Sequence, residues 1–339
     1  MLNTDAHAIF LHPGGVQHRT GGTLYNQRLC RALADRGTII TTLGLDGTWP
    51  LPQDTEIEAI DRALHTIAPG TPLWVDGLVW TGLGPLLPTL SRRHPCTVIV
   101  HSPLFQETGL DPTRRDWLRS TEAEALELAH RRVVTGGPAA RDLRDTFGLD
   151  AILIEPGVHP APVAPAADPT ALLTVATVTP RKRHTLLVAA LAGTVRGRLD
   201  CAGAVDRSPE TTAAVHALAA SLGVADRVRL LGELDEPDLS TLFHRAGLVV
   251  QGAAYEAYGM AIAEAVARGL PVVSAPAGVL EGPCQDAALI VQSDEPAAWT
   301  AALEAAMGPA HARLRTAALH ARTRLPTWAQ TAARFAALS

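Results

Sequence analysis

The sequence predicts an α/β chain of two Rossmann-like domains, each a parallel sheet flanked by helices and facing the other across a cleft. Three observations support this. The 339 residues exceed the size at which one hydrophobic core usually stops growing. Short apolar runs alternate with helical patterns along most of the chain, and a proline-crowded stretch interrupts that alternation near the middle.

In the first half, Ala8 to Leu11 reads as a strand. Thr23 to Arg36 reads as a helix closed by Gly37, and Thr38 to Leu43 as the next strand. Leu73 to Val75 and Thr97 to Val100 are further strands, and the helix Thr121 to Ala129 leads into the strand Arg132 to Thr135. From Ile152 the chain enters Glu-Pro-Gly-Val-His-Pro-Ala-Pro-Val-Ala-Pro, whose prolines exclude a helix and predict an extended interdomain connection.

Beyond it the alternation restarts: strand Leu172 to Val178, helix His184 to Ala192, strand Leu199 to Val205 and helix Pro209 to Leu222. It continues with strand Val228 to Leu231, helix Glu236 to Ala246, strand Leu248 to Val250, helix Tyr258 to Arg268 and strand Pro271 to Ser274. Ligands of such folds bind at the carboxyl ends of the strands, so the cleft is the expected site.

Composition narrows the function. A net charge of -5 gives no basic field for nucleic acid. Cys30, Cys96, Cys201 and Cys284 are scattered without zinc spacing, so neither a disulfide framework nor a metal site is expected. The amino terminus lacks a basic and apolar leader pattern, and no apolar stretch reaches the roughly 20 residues of a membrane span. A reducing, cytoplasmic setting is expected.

Lys182 is the single lysine among 29 lysines and arginines, and it stands in Thr-Pro-Arg-Lys-Arg-His just after an apolar strand. Its compact charge with three donors suits phosphate oxygens at a strand-helix junction. Gly14-Gly15 follows the first strand and Gly21-Gly22 precedes the first helix, where glycine permits close approach of backbone to an anion. No G-x-G-x-x-G occurs there, which argues against a nicotinamide enzyme. The strongest constellation is Tyr255-Glu256-Ala-Tyr258-Gly259-Met260 followed by Glu264. Phosphates fit the amides of Gly259 and Met260 at a helix start, and Glu264 suits a ribose diol.

Seven residues separate Glu256 from Glu264, and the stretch Y-E-A-Y-G-M-A-I-A-E-A-V-A-R-G-L-P-V-V resembles the E-x7-E signature of the retaining GT4 glycosyltransferases, which have the GT-B fold. The glycine-rich turn, Ile154-Glu-Pro-Gly-Val158, Thr177 to Lys182 and Arg229 to Leu234 extend the resemblance over almost the whole chain. It implies domains at 1–155 and 156–322, and a carboxyl-terminal helix within 323–339 that packs back on the first domain. It also implies that Lys182, with Arg181 or Arg183, holds a donor diphosphate, that Glu264 binds the ribose and that Glu256 contacts the transferred sugar. Gly259 and Met260 would present amides to the donor, Gly22 would line the site from the first domain, and His101 would donate to a hydroxyl near the reacting sugar or contribute backbone polarity there.

Two departures stand out: Thr177 replaces the usual arginine five residues before the lysine, and Arg183 replaces the glycine after it.

The implied reaction is transfer of a sugar from a nucleoside diphosphate sugar, with retained configuration, to a small-molecule, lipid-linked or glycan acceptor. No D-x-D motif occurs, so no metal cofactor is expected. Asp76, Trp80 and Glu107 follow strands of the first domain and are the expected acceptor-side residues. Arg114, Arg115, Trp117 and Arg119 read as a solvated helix start rather than as a membrane-binding patch, because Glu122 and Glu124 follow. A sugar-nucleotide hydrolase or epimerase and a noncatalytic sugar-nucleotide binder remain the alternatives.

Overall fold

A computed structural model describes residues 8–14 and 20–338. Gly15 and the amino-terminal segment inspected for a leader lie outside the described residues. The chain divides into two compact units, Met1–Gly157 with Trp328–Ser339, and Val158–Thr327.

The first unit contains β1 (Ala8–Pro13), α1 (Gly21–Ala34), β2 (Ile40–Leu45), α2 (Asp54–His65), β3 (Leu73–Asp76), α3 (Gly77–Gly82), α4 (Leu87–Arg93), β4 (Cys96–Val100), α5 (Pro112–Glu127), β5 (Arg131–Val134), α6 (Gly137–Phe147) and β6 (Ile152–Leu153). Its parallel strands run in the order β2-β1-β3-β4-β5-β6. Every residue of β3 and β4 is buried, which is why these strands read as unbroken apolar runs.

Helix α1 starts at a reciprocal cap. The Thr20 hydroxyl accepts from the Thr23 amide at 3.2 Å, and the Thr23 hydroxyl accepts from the Thr20 amide at 2.8 Å.

The second unit contains β7 (Ala171–Val175), α7 (His184–Ala192), β8 (Arg198–Ala202), α8 (Pro209–Ser221), β9 (Val228–Gly232), α9 (Glu236–Arg245), β10 (Leu248–Gln251), α10 (Met260–Ala267), β11 (Val272–Ser274), β12 (Ala288–Ile290), α11 (Pro296–Met307) and α12 (His311–Ala321). Its sheet is also parallel, in the order β12-β11-β10-β7-β8-β9. Helix α13 (Trp328–Ala336) belongs to the first unit. Its Trp328 and Phe335 rings lie 5.6 and 6.5 Å from Tyr25, and the Thr331 hydroxyl donates to Glu155 O at 2.9 Å.

Each sheet has a point where strand order reverses, between β1 and β3 in the first unit and between β7 and β10 in the second. Loops leaving neighbouring strands in opposite directions open a crevice at such a point, and ligands of open α/β sheets bind there. The first reversal gathers the start of α1 and Asp76, and the second gathers the Lys182 and Glu256 loops.

Two expectations change. The helix expected from Thr121 begins at Pro112, because Asp111 accepts from the Arg114 amide at 2.9 Å and proline fits the first helical turn. The proline-rich segment is not a loose connection: residues 158–166 are tied into the second unit. The Val158 amide donates to Pro326 O and the Ala164 amide to Arg268 O, while the Arg322 and Arg315 guanidinium groups donate to Ala161 O and Ala164 O. Arginine side chains thus serve carbonyls in a segment whose prolines supply no amide hydrogens.

Glu122 of α5 is buried, and its Oε2 accepts from the Leu104 amide at 2.8 Å, anchoring the segment that follows β4. Burial pushes its carboxyl up to about 8, the Leu104 hydrogen bond opposes that rise, and the neighbouring Asp142 charge adds to it. The folded protein therefore keeps a proton that the unfolded chain releases nearer 4.5, and stability falls as pH rises between those values. Glu122→Gln keeps the acceptor oxygen and should flatten this fall in urea midpoints compared at about pH 5 and about pH 8. Parallel profiles for wild type and variant would contradict it.

Candidate functional site

In the second unit, five contacts join the loop after β7 to the loop after β10. Lys182 Nζ donates to Glu256 Oε2 at 2.5 Å. The Ala254 amide donates to Arg181 O at 2.8 Å, and Arg181 Nη1 donates to Tyr255 O at 3.0 Å. Arg183 Nε donates to Gly252 O at 2.5 Å, and its Nη2 donates to Ala253 O at 3.3 Å. Arg183 also pairs with Asp294 beyond β12. The pairing of β7 with β10 in the sheet brings together residues 74 positions apart in sequence.

Burial alone would raise the Glu256 carboxyl. The Lys182 charge and hydrogen bond, the Arg181 charge and the Gly259 amide outweigh burial and hold it below the ordinary glutamate range. The Gly259 amide, which the sequence reading offers to the phosphates or sugar of a donor, is also engaged with Glu256. Gly259 has φ +99, a left-handed conformation that favours glycine, and it caps α10, whose first residue is Met260. Glu264 lies one turn into that helix and is half-buried.

Arg183 carries the family departure. It has φ +51, in the left-handed region where the expected glycine would be unstrained. The contacts of its guanidinium to Gly252, Ala253 and Asp294 offset that strain, so Arg183 is a bracket for the loop, leaving Arg181 beside Glu256 as the second cation. His184, next in the chain, is fully buried with no hydrogen-bond partner for either ring nitrogen, and burial together with the Lys182 charge pushes it down to about 4.

In the first unit, His101 follows β4, and its Nε2 lies 2.9 Å from Asn26 Oδ1 and 3.4 Å from Asp76 Oδ2. Asn26 Nδ2 donates to Asp76 Oδ2 at 2.6 Å, and the Leu78 amide donates to Asp76 Oδ1 at 2.9 Å. Burial raises the Asp76 carboxyl, but its bonds to His101, Asn26 and Leu78 outweigh burial and hold it below the usual range. Gly22 packs close to His101: a Cβ there would lie 3.0 Å from its Cδ2, so the ring would have to give way.

The expected acceptor-side residues are not brought together. Trp80 is fully buried, with its indole N–H donating to Ala125 O at 2.6 Å, so it is a core residue. Asp76 faces inward with both oxygens engaged, and only Glu107 is exposed. Asn26 was missed, although a signal existed: it is a polar residue on the α1 stripe with Tyr25, Leu29 and Leu33, all buried. Among the described residues no group of three or more His, Cys, Asp or Glu forms a metal cluster, and no helix is long and apolar enough to cross a membrane.

Two parallel-sheet units with strand-end loops at each reversal define the GT-B class, and solved structures agree. Sucrose-phosphate synthase from Thermosynechococcus elongatus matches with a TM-score of 0.82 at 22% identity, covering 98% of this chain and 97% of that one. Anabaena HepE, solved with UDP and glucose, matches with a TM-score of 0.78 at 15% identity, covering 98% and 99%. At these identities the likeness shows the fold alone.

Residues 159–317, all within the second unit, match the family model for glycosyl transferases group 1, in line with the E-x7-E resemblance. Two curated relatives are named D-inositol 3-phosphate glycosyltransferase. The one from Salinispora tropica is 29% identical over 215 residues, 54% of this chain and 44% of that protein. The one from Nocardia farcinica is 28% identical over 274 residues, 73% and 59%. The chain spans about half the length of the curated relatives it matches.

Two predictions follow from this geometry. In Lys182→Ala the largest force opposing burial is gone, so the Glu256 carboxyl should titrate higher than in wild type, read by carboxyl 13C NMR. In wild type the pair's contribution to stability is present above the ordinary glutamate value and is lost as pH falls through the lowered one. At position 183, Arg183→Ala loses the bracket and keeps the left-handed strain, whereas Arg183→Gly loses only the bracket. Alanine should therefore be the less stable variant by about 1 kcal/mol in denaturant unfolding, against the usual preference for alanine.

Proposed function

We propose that this chain is a retaining, metal-independent glycosyltransferase that moves a sugar from a nucleoside diphosphate sugar to a hydroxyl of a small-molecule, lipid-linked or glycan acceptor. The observation that carries the reading is the Lys182–Glu256 contact at 2.5 Å at the strand reversal of a group 1 glycosyl transferase domain, beside Arg181 and the start of α10. A cation and a helix start together suit a diphosphate, and a carboxylate suits sugar hydroxyls. HepE, which shares the fold, has been solved with UDP-glucose, and this supports a nucleotide-sugar donor here.

In this reading Lys182 and Arg181 neutralise the departing diphosphate, Glu256 holds the transferred sugar, Glu264 holds the ribose and Met260 offers its amide. The bond from the anomeric carbon to the phosphate oxygen breaks while the acceptor oxygen bonds that carbon on the same face. The acceptor proton passes to the departing phosphate oxygen, so no protein nucleophile is needed. Four free cysteines fit a cytoplasmic, reducing setting.

Calorimetry with UDP, GDP, ADP and their sugars tests the donor site, and acceptor screening by product mass tests transfer. One nucleoside diphosphate should bind saturably, with affinity reduced about 10- to 100-fold in Lys182→Ala and in Glu264→Ala. Binding equal in wild type and both variants would sink the assignment. Release of free sugar without any acceptor product would replace transfer with hydrolysis.

A further inference from the structure

His101 Nε2 sits between two acceptors. Asn26 Oδ1 is 2.9 Å away and Asp76 Oδ2 is 3.4 Å away. The orientation of the Asn26 amide is decided by its other contact: its NH2 group donates to Asp76 Oδ2 at 2.6 Å, which leaves the carbonyl oxygen facing the ring. Asp76 is itself held, because its other oxygen accepts from the Leu78 amide at the start of α3. Asp76 and Asn26 are 3% and 5% exposed, so neither is free to rearrange toward solvent.

With acceptors on both sides, the Nε2 atom must carry hydrogen. A neutral imidazole has one N–H, so Nδ1 then carries a lone pair, and Nδ1 has no protein partner among the described residues. The ring is fixed in place as well. Tyr25 packs edge-on at 5.1 Å, and the Cδ2 edge of the ring lies over Gly22, where an added Cβ would come within 3.0 Å of it. The side chain keeps 18% of its surface open.

We infer that Asp76 and Asn26 are positioning residues that lock His101 in the Nε2–H tautomer, so that the neutral ring presents Nδ1 as an acceptor to a substrate hydroxyl. This rests on the glycosyltransferase reading only for the identity of the substrate, and it replaces two sequence expectations. His101 receives a hydrogen bond from the sugar or acceptor hydroxyl instead of donating one, and Asp76 acts through His101 instead of lining an acceptor pocket. The arrangement has the logic of a buried carboxylate that orients an imidazole, reached here through a bridging amide.

The test is long-range 1H–15N correlation NMR on histidine-labelled protein, with the His101 signals assigned by their loss in His101→Gln. The expected result is the Nε2–H tautomer in wild type and a shift toward mixed tautomers in Asp76→Asn, where an amide replaces the obligate acceptor. Wild-type His101 found as the Nδ1–H tautomer overturns the proposal, whether or not any variant folds and whatever the donor proves to be.

A kinetic arm separates positioning from direct contact once a substrate pair is in hand. Asp76→Asn should lower kcat at least about 10-fold with the nucleotide Kd unchanged, and in the His101→Gln background it should have no further effect. A full additional loss in that background would mean that Asp76 acts on substrate itself, and the proposal would fall.

Discussion

Lys182 and Glu256 lie 74 residues apart in sequence and 2.5 Å apart in space, and the second unit's candidate site is organised around that contact. A carboxylate among buried neighbours is costly unless cations and amides compensate it, and Lys182, Arg181 and the Gly259 amide all do so. The same atoms define the chemistry. The pair places a cation and an anion together at the strand ends that flank a reversal of strand order. The neighbouring bracket, in which Arg183 spans Gly252 and Ala253, stiffens the same junction.

The first unit repeats the principle with different residues. Its reversal lies between β1 and β3, and Asp76 at the end of β3 reaches Asn26 on α1 and His101 after β4. In both units a strand-end carboxylate is satisfied by groups from neighbouring elements, because sheet order makes distant segments adjacent at their carboxyl ends. In the second unit the partner is a cation suited to phosphate. In the first it is an imidazole, whose tautomer the carboxylate governs.

Much of this was legible in advance because the signals were local. Strand and helix alternation located most strands, and the spacing of Glu256 and Glu264 located the motif at the start of α10. Helices α2, α3, α4, α6, α11 and α12 were not read, and α5 was started late because Asp111-Pro112 was not recognised as a helix start. The misread acceptor residues share one cause. Asp76 ends a strand and Trp80 follows it, as site residues often do, but whether such a side chain faces the core or the surface depends on what packs beside it.

By itself the sequence determined most strands and the helices with strong periodicity, the two-unit organisation, the family motif and the unusual isolation of Lys182, because periodicity and motif spacing are properties of short stretches of chain. Only the tertiary structure decided that Arg183 brackets a loop, that the Gly259 amide serves Glu256, and that His101 is held by Asn26 and Asp76. Each of these outcomes is a competition among hydrogen-bond partners supplied by distant segments. Such competitions are settled by strand order and side-chain reach, which no local pattern encodes.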